Sequence, residues 1–287
     1  MNRLSPTRRA QILASLVEGN SIRATCRMTG SAKGTVLRLL REIGQVCAAF
    51  HDEQVREITS KRVQCDEIWS FVAMKERQVR VGFRGRGEIG DVWTWIGMDA
   101  DTKLAISWLV GPRSPVSAYR FIADLASRLA NRIQLTTDGN RMYLGAVEDA
   151  FGWAGVDYAM LVKIFQSAPG RGYSPGSFVG IHKKWIMGDP EWSDVSTSYV
   201  ERQNFSIRME QRRFTRLTNA FSKTVENHAH AVALHFVHYN WCRVHTTLTK
   251  RAGGIHTTPA MAAGLTDRVW KLEDVVAMLV KQEKKAS

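Results

Sequence analysis

The chain has 287 residues, 40 of them Lys or Arg against 27 Asp or Glu, for a formal net charge of +13, and 44% are hydrophobic. This supports a moderate core plus one small unit, and the charge favours polyanionic partners, nucleic acid first. No apolar run approaches the roughly 20 residues that span a bilayer, and no apolar stretch follows the basic N-terminus, so a cytoplasmic protein with no membrane partner is expected.

Residues 1–43 read as three short helices forming an N-terminal all-α unit. Pro6 suits a first turn, and Ile12, Leu13, Leu16 and Val17 follow before Gly19. Ser21 caps a second helix, Thr29-Gly30 turns, and Ser31 caps a third helix with Val36, Leu39, Leu40 and Ile43 on one face. Lys33, Arg38 and Arg41 stand elsewhere around that third helix. A helix, a turn containing Gly and a basic helix outline a helix-turn-helix DNA-binding domain, and these three cations are its expected DNA contacts. Residues 44–61 read as a linker helix.

From Arg62 the pattern becomes β-branched and aromatic. RVQCDEIWSFVA, DVWTWIGMD and KLAISWLVG predict an antiparallel meander of three strands. VSAYRFIADLASRLA predicts a helix buried through Tyr119, Ile122, Leu125, Ala126 and Leu129. A strand ending at Asp138, a helix over RMYLGAVEDAFG and a fifth strand over DYAMLVKIF complete an α/β domain, a mixed five-stranded sheet with helices on its faces. Residues 166–196, rich in Pro, Gly and Trp, read as an irregular surface insertion. Helices over SYVERQNFSIRM and over 222–243 follow, then a C-terminal tail at 251–287 ending in a short helix. Four cysteines, Cys26, Cys47, Cys65 and Cys242, form no C-x-x-C pair, which argues against a zinc ribbon or a disulfide framework.

Three carboxylates are set apart by context. Asp66 lies inside an apolar strand, where an acid demands a cation or hydrogen bonds. Asp138 closes a strand in LTTDG, and ligands of open α/β sheets bind beyond the carboxyl ends of strands. If the first and fourth strands are neighbours, Asp66 and Asp138 converge, and a helix crossing that end brings in Glu201. Three carboxylates with no imidazole or thiolate set nearby select Mg²⁺ or Mn²⁺, and two such ions would support in-line displacement at phosphorus. Asn204 and Arg208 follow Glu201 by one and two helical turns and are candidates to orient the acid or touch phosphate. Arg202, Arg212, Arg213 and Arg216 form an expected phosphate-contacting track.

The stretches GNSIRATCRMTGSAKGTVLRLL, VQCDEIWSFV, LTTDGN and SYVERQNFSIRM together resemble the DDE transposases, more narrowly the IS1 family of insertion sequences. The resemblance spans about residues 3–250. It implies a ribonuclease-H-like catalytic domain over 62–250 with Asp66, Asp138 and Glu201 as catalytic metal ligands. It also implies a bacterial or archaeal enzyme of the nucleoid that binds the element's terminal inverted repeats, cleaves DNA and joins the 3′ end to target DNA. Holding two ends together implies a homodimer or larger assembly. Glu67 alternates to the opposite face of the strand from Asp66, so only one of the pair is expected at the metals, and the resemblance selects Asp66.

Other readings are blander. His235, His238 and Cys242 share a helix at metal-like spacing but lack a fourth ligand, so packing or DNA contact is preferred to zinc. Of Trp153, Trp185 and Trp192, only the last two, in the insertion, are expected to be exposed enough to stack on unpaired bases, and burial is the commoner role for a tryptophan. A DNA-binding regulator with an inactive catalytic domain, or a nuclease of the same fold without strand transfer, would share most of these features.

Overall fold

The computed structural model describes residues 4–83, 88–152, 155–166, 176–215 and 219–285. Three helices, α1 (Pro6–Val17), α2 (Ile22–Thr29) and α3 (Lys33–Gln54), precede a meander of β1 (Arg62–Val72), β2 (Gly90–Asp99) and β3 (Ala105–Gly111). Next come α4 (Pro115–Ser127), β4 (Ile133–Asp138), α5 (Met142–Phe151), β5 (Val156–Gln166) and β6 (Ser177–Met187). The chain ends with α6 (Ser198–Glu210), α7 (Val225–Val237), α8 (Thr246–Arg251), α9 (Pro259–Ala262) and α10 (Leu272–Lys285).

The strands form one mixed sheet in the order β3-β2-β1-β4-β5-β6. β1, β4 and β5 run parallel, while β2 pairs antiparallel with β1 and β3, and β6 antiparallel with β5. The parallel strands are joined through α4 and α5, whose Phe121, Ile122, Leu125, Tyr143 and Val147 pack in one buried cluster with Cys65 and Trp95. The other face carries α6 and α7, with Val200, Ile207, Val232 and Phe236 against Ile68 and Ile96. This mixed α/β layering is compatible with a ribonuclease-H-like fold.

The sheet has six strands rather than five. The extra one, β6, falls within 166–196, which composition marks as irregular. Its side chains are largely exposed on both faces, so no alternation betrays it, and the Pro/Gly-rich stretch beside it dominates the local composition. Residues 167–175 of that segment lie outside the described residues. In α4, Ala118, Phe121, Ile122 and Leu125 turn inward, while Tyr119, expected in the buried stripe, is exposed.

The N-terminal helices are locally specified much as expected. The Ser5 and Ser21 hydroxyls accept from the amides of Arg8 and Ala24, and Gly30 ends α2 with φ 63°. Ser31 is not the next cap, since α3 begins after Ala32 without a side-chain cap. Nor does α3 stop near residue 43; it runs unbroken to Gln54, through the first part of the stretch read as a linker helix. Gly44 lies within it, where a Cβ would lie 2.4 Å from His230 Cβ and 2.6 Å from its Cα. This glycine lets α3 and α7 approach closely. Gly44→Ala is therefore expected to destabilise the fold by about 2 kcal/mol, read as a lower urea midpoint, because a backbone must move to admit one methyl group. An unchanged midpoint would mean the two helices are not so tightly apposed.

The C-terminal segment also joins the core. Val275, Val276 and Leu279 of α10 are buried with α1 and α3 residues, and Arg9 pairs with Glu283 at 3.1 Å. Phe50 of α3 packs on Trp241 and Trp270, with ring centroids 5.0 and 5.1 Å away. Among the described residues, no helix is long and apolar enough to cross a membrane.

Candidate metal centre and active-site cleft

β1 runs on past β4. The last paired residues are Cys65 and Thr137, so Asp66 and Asp138 stand side by side where the ladder ends. One carboxylate oxygen from each of Asp66, Glu67 and Asp138 lies within 4.8 Å of the others. Asp66 shares its face with Ile68, beneath α6, whose Asn204 Nδ2 donates to Asp66 Oδ2 at 2.8 Å. The Glu67 amide donates to Asp66 Oδ1 at 2.8 Å.

The presence of Glu67 in this cluster corrects the expectation that it points away. It does leave the strand on the opposite face, but β4 ends beside Asp66 and no longer separates the two faces. The longer glutamate side chain reaches round that end, its carboxylate buried, and accepts from Asn140 Nδ2. Asn140 also donates its backbone amide to Asp138 Oδ1 at 3.0 Å and accepts from the Met142 amide at 3.1 Å, fixing the acid against the start of α5. Arg113 Nε approaches Glu67 at 3.9 Å. The acid pair Asp66-Glu67 and the Asn two residues after Asp138 are visible in the sequence, but which of them reach the cluster depends on where β4 ends beside β1.

Glu201 lines the same cleft as Asp66 and Asp138, a space of about 720 Å³ that Arg113, Arg141 and Lys163 also border. Its carboxylate is not part of the tight cluster: Thr197 Oγ1 donates to Oε1 at 2.5 Å, and Lys163 forms an ion pair with Oε2. Nothing in the local sequence marks Lys163, which meets Glu201 from β5, 38 residues earlier in the chain. Arg208 donates to the Phe214 carbonyl at 3.2 Å and so braces the turn after α6.

Burial, then the charge of Asp138, raises the Asp66 carboxyl to about 7, and the same two causes raise Glu67 to about 8. Asp138 is raised too, by burial and by Glu201. Three acids that disfavour one another's ionisation are a fit for a hard cation, whose charge would reverse each of these shifts. Asn204, whose Nδ2 donates to Asp66, has its Oδ1 buried without a hydrogen-bond partner. Among the described residues, no other group of His, Cys, Asp or Glu has metal-binding spacing, so His235, His238 and Cys242 do not gather.

The expected DNA-contacting residues are distributed as follows. Lys33, Arg38, Arg41, Arg202 and Arg212 are exposed. Arg213 is turned inward, donating to the Ser222 hydroxyl at 3.0 Å and the Asn227 carbonyl at 2.7 Å, so its charge serves the fold. Arg216 and Trp153 lie outside the described residues. Trp185 and Trp192 are exposed.

No family model matches this sequence, and no curated protein does, so membership of the IS1 family finds no support there. Among solved structures, a piggyBac transposase synaptic complex with hairpin DNA is similar at 8% identity and a TM-score of 0.40, over 97% of this chain and 72% of that chain. At that TM-score the likeness assigns nothing to the present chain.

Proposed function

We propose that this protein is a DDE-type transposase that cleaves DNA at the ends of a mobile element and joins the 3′ ends to a target. The observation that carries this reading is the cleft itself: Asp66 from within β1, Asp138 from the end of the adjacent parallel β4, and Glu201 from α6 line one space. The three acids would hold two Mg²⁺ or Mn²⁺ ions. When bound, such ions activate a water or a 3′-hydroxyl and stabilise the leaving oxygen at phosphorus.

The chain's own residues supply positioning. Asn204 and Asn140 hold the Asp66, Asp138 and Glu67 carboxylates in place, and Arg208 acts more remotely by bracing α6. Lys163 and Arg141 place positive charge beside the carboxylates, where a scissile phosphate would need it. In this reading the N-terminal helices form a helix-turn-helix that reads the terminal inverted repeats through Lys33, Arg38 and Arg41. Arg202, Arg212 and Arg216 contact phosphates, and two or more copies hold the paired ends together.

Incubating the protein with a duplex carrying such an end, a supercoiled target plasmid and Mg²⁺ is expected to give end-joined plasmid, and EDTA is expected to abolish it. Nicking without joining would reduce the activity to that of a nuclease. Binding without either would leave a DNA-binding regulator.

A further inference from the structure

A second basic surface lies apart from the carboxylate cleft. A groove of about 1100 Å³ is bordered on one side by Arg23 and Lys33, at the starts of α2 and α3. On its other side are Lys75 and Arg77 after β1, and Arg212 and Lys223 after α6. Among the described residues, no carboxylate lines it. Glu76, between two of these cations in sequence, instead accepts from the Asp91 amide at 3.0 Å. We infer that this groove binds the sugar–phosphate backbone of double-stranded DNA, clamping the duplex between the N-terminal helices and the sheet domain.

Three features specify the partner. The charges are spread along an open groove rather than converging on one point, which suits a row of phosphates better than a small anion. They come from separate segments of the chain, so one extended polyanion can engage all of them. The Phe221 ring packs on Phe71 at 4.9 Å between centroids and is covered by the Lys223 ammonium at 3.7 Å, so it is not free as a platform for unpaired bases. That favours a duplex over a single strand. The inference rests on the transposase reading only for its choice of DNA as the polyanion.

The test uses the full chain in Mg²⁺-free buffer, with fluorescence anisotropy of a labelled 30-base-pair duplex across a salt series. The combined variant Arg23→Ala, Lys75→Ala, Lys223→Ala should bind at least about tenfold more weakly near 0.15 M salt. The slope of log K against log salt should fall by about 2.7, at roughly 0.9 for each phosphate no longer neutralised. Should the triple variant melt below the wild type, Lys223→Ala alone should lower the slope by about 0.9. A 30-nucleotide single strand should bind the wild type more weakly than the duplex and lose less affinity in the variant. An unchanged duplex slope overturns the proposal, and an equal loss for the single strand overturns the choice of duplex. If the slope is unchanged while the wild type still nicks DNA with Mg²⁺, the groove fails alone. If the slope falls but Mg²⁺ elicits no nicking, the groove stands and the transposase reading fails.

Discussion

Asp66→Asn is expected to lower metal-dependent DNA nicking and joining by about a thousandfold or more, because it removes an anionic ligand where charge develops during displacement. Asn keeps the side chain's size and can still accept from the Glu67 amide, so duplex binding should stay within about twofold of wild type. Asp138→Asn and Glu201→Gln should behave alike. Glu67→Gln separates the two possible carboxylate sets. Its amide oxygen can keep the hydrogen bond from Asn140, and Glu67 approaches from the far side of the sheet. This variant should retain nicking within about tenfold of wild type. Gel quantification of nicked and joined products under single-turnover conditions decides the matter. Wild-type rates in Asp66→Asn would remove the two-metal mechanism, and a thousandfold loss in Glu67→Gln with an active Glu201→Gln would move the third ligand to β1.

Adding Mg²⁺ or Mn²⁺ to the DNA-free protein should raise its melting temperature by about 5 °C at pH 8 and by far less at pH 5, on the order of 2 kcal/mol at roughly 2–4 °C each. The sign follows from the raised carboxyls. Asp66 and Glu67 titrate at about 7 and 8 in the fold against ordinary values of 3.8 and 4.5. Below pH 4 both states are protonated and the contribution to stability is fully present. As pH rises from 4 towards 8 the unfolded chain ionises freely while the fold resists, so stability is lost across that window. A bound cation restores it by pairing with the ionised acids. Asp66→Asn should therefore raise the melting temperature of the metal-free protein at pH 8 and blunt its response to Mg²⁺. Differential scanning calorimetry at the two pH values measures both effects. A metal response that is equal at pH 5 and pH 8 would show that these carboxylates do not hold the ion.

The acids of the cleft were legible because their contexts are local. Asp66 interrupts an apolar strand and Asp138 closes one; only the adjacency of β1 and β4 had to be supplied, and those strands do pair in parallel. Arg213 was not legible. In sequence it is one of several arginines after α6, and its inward turn depends on Ser222 and Asn227, residues brought to it by the following loop. The continuation of α3 was hidden for a similar reason. Gly44 opens the stretch read as a separate linker helix, and only with His230 placed against it does it become the condition for two helices to touch.

The sequence by itself determined the strongly basic charge, the meander and the alternation of helix and strand that follows. It also singled out the three acids at 66, 138 and 201, since charge, hydrophobic period and residue type are read within a few neighbours. Tertiary structure alone decided that Glu67 curls round the end of β4 to join Asp66 and Asp138. It also decided that Lys163 pairs with Glu201, that α10 closes over the N-terminal helices, and which cations face the groove beside α2 and α3. Each of these depends on segments far apart in the chain meeting at one place, and no local pattern records such a meeting.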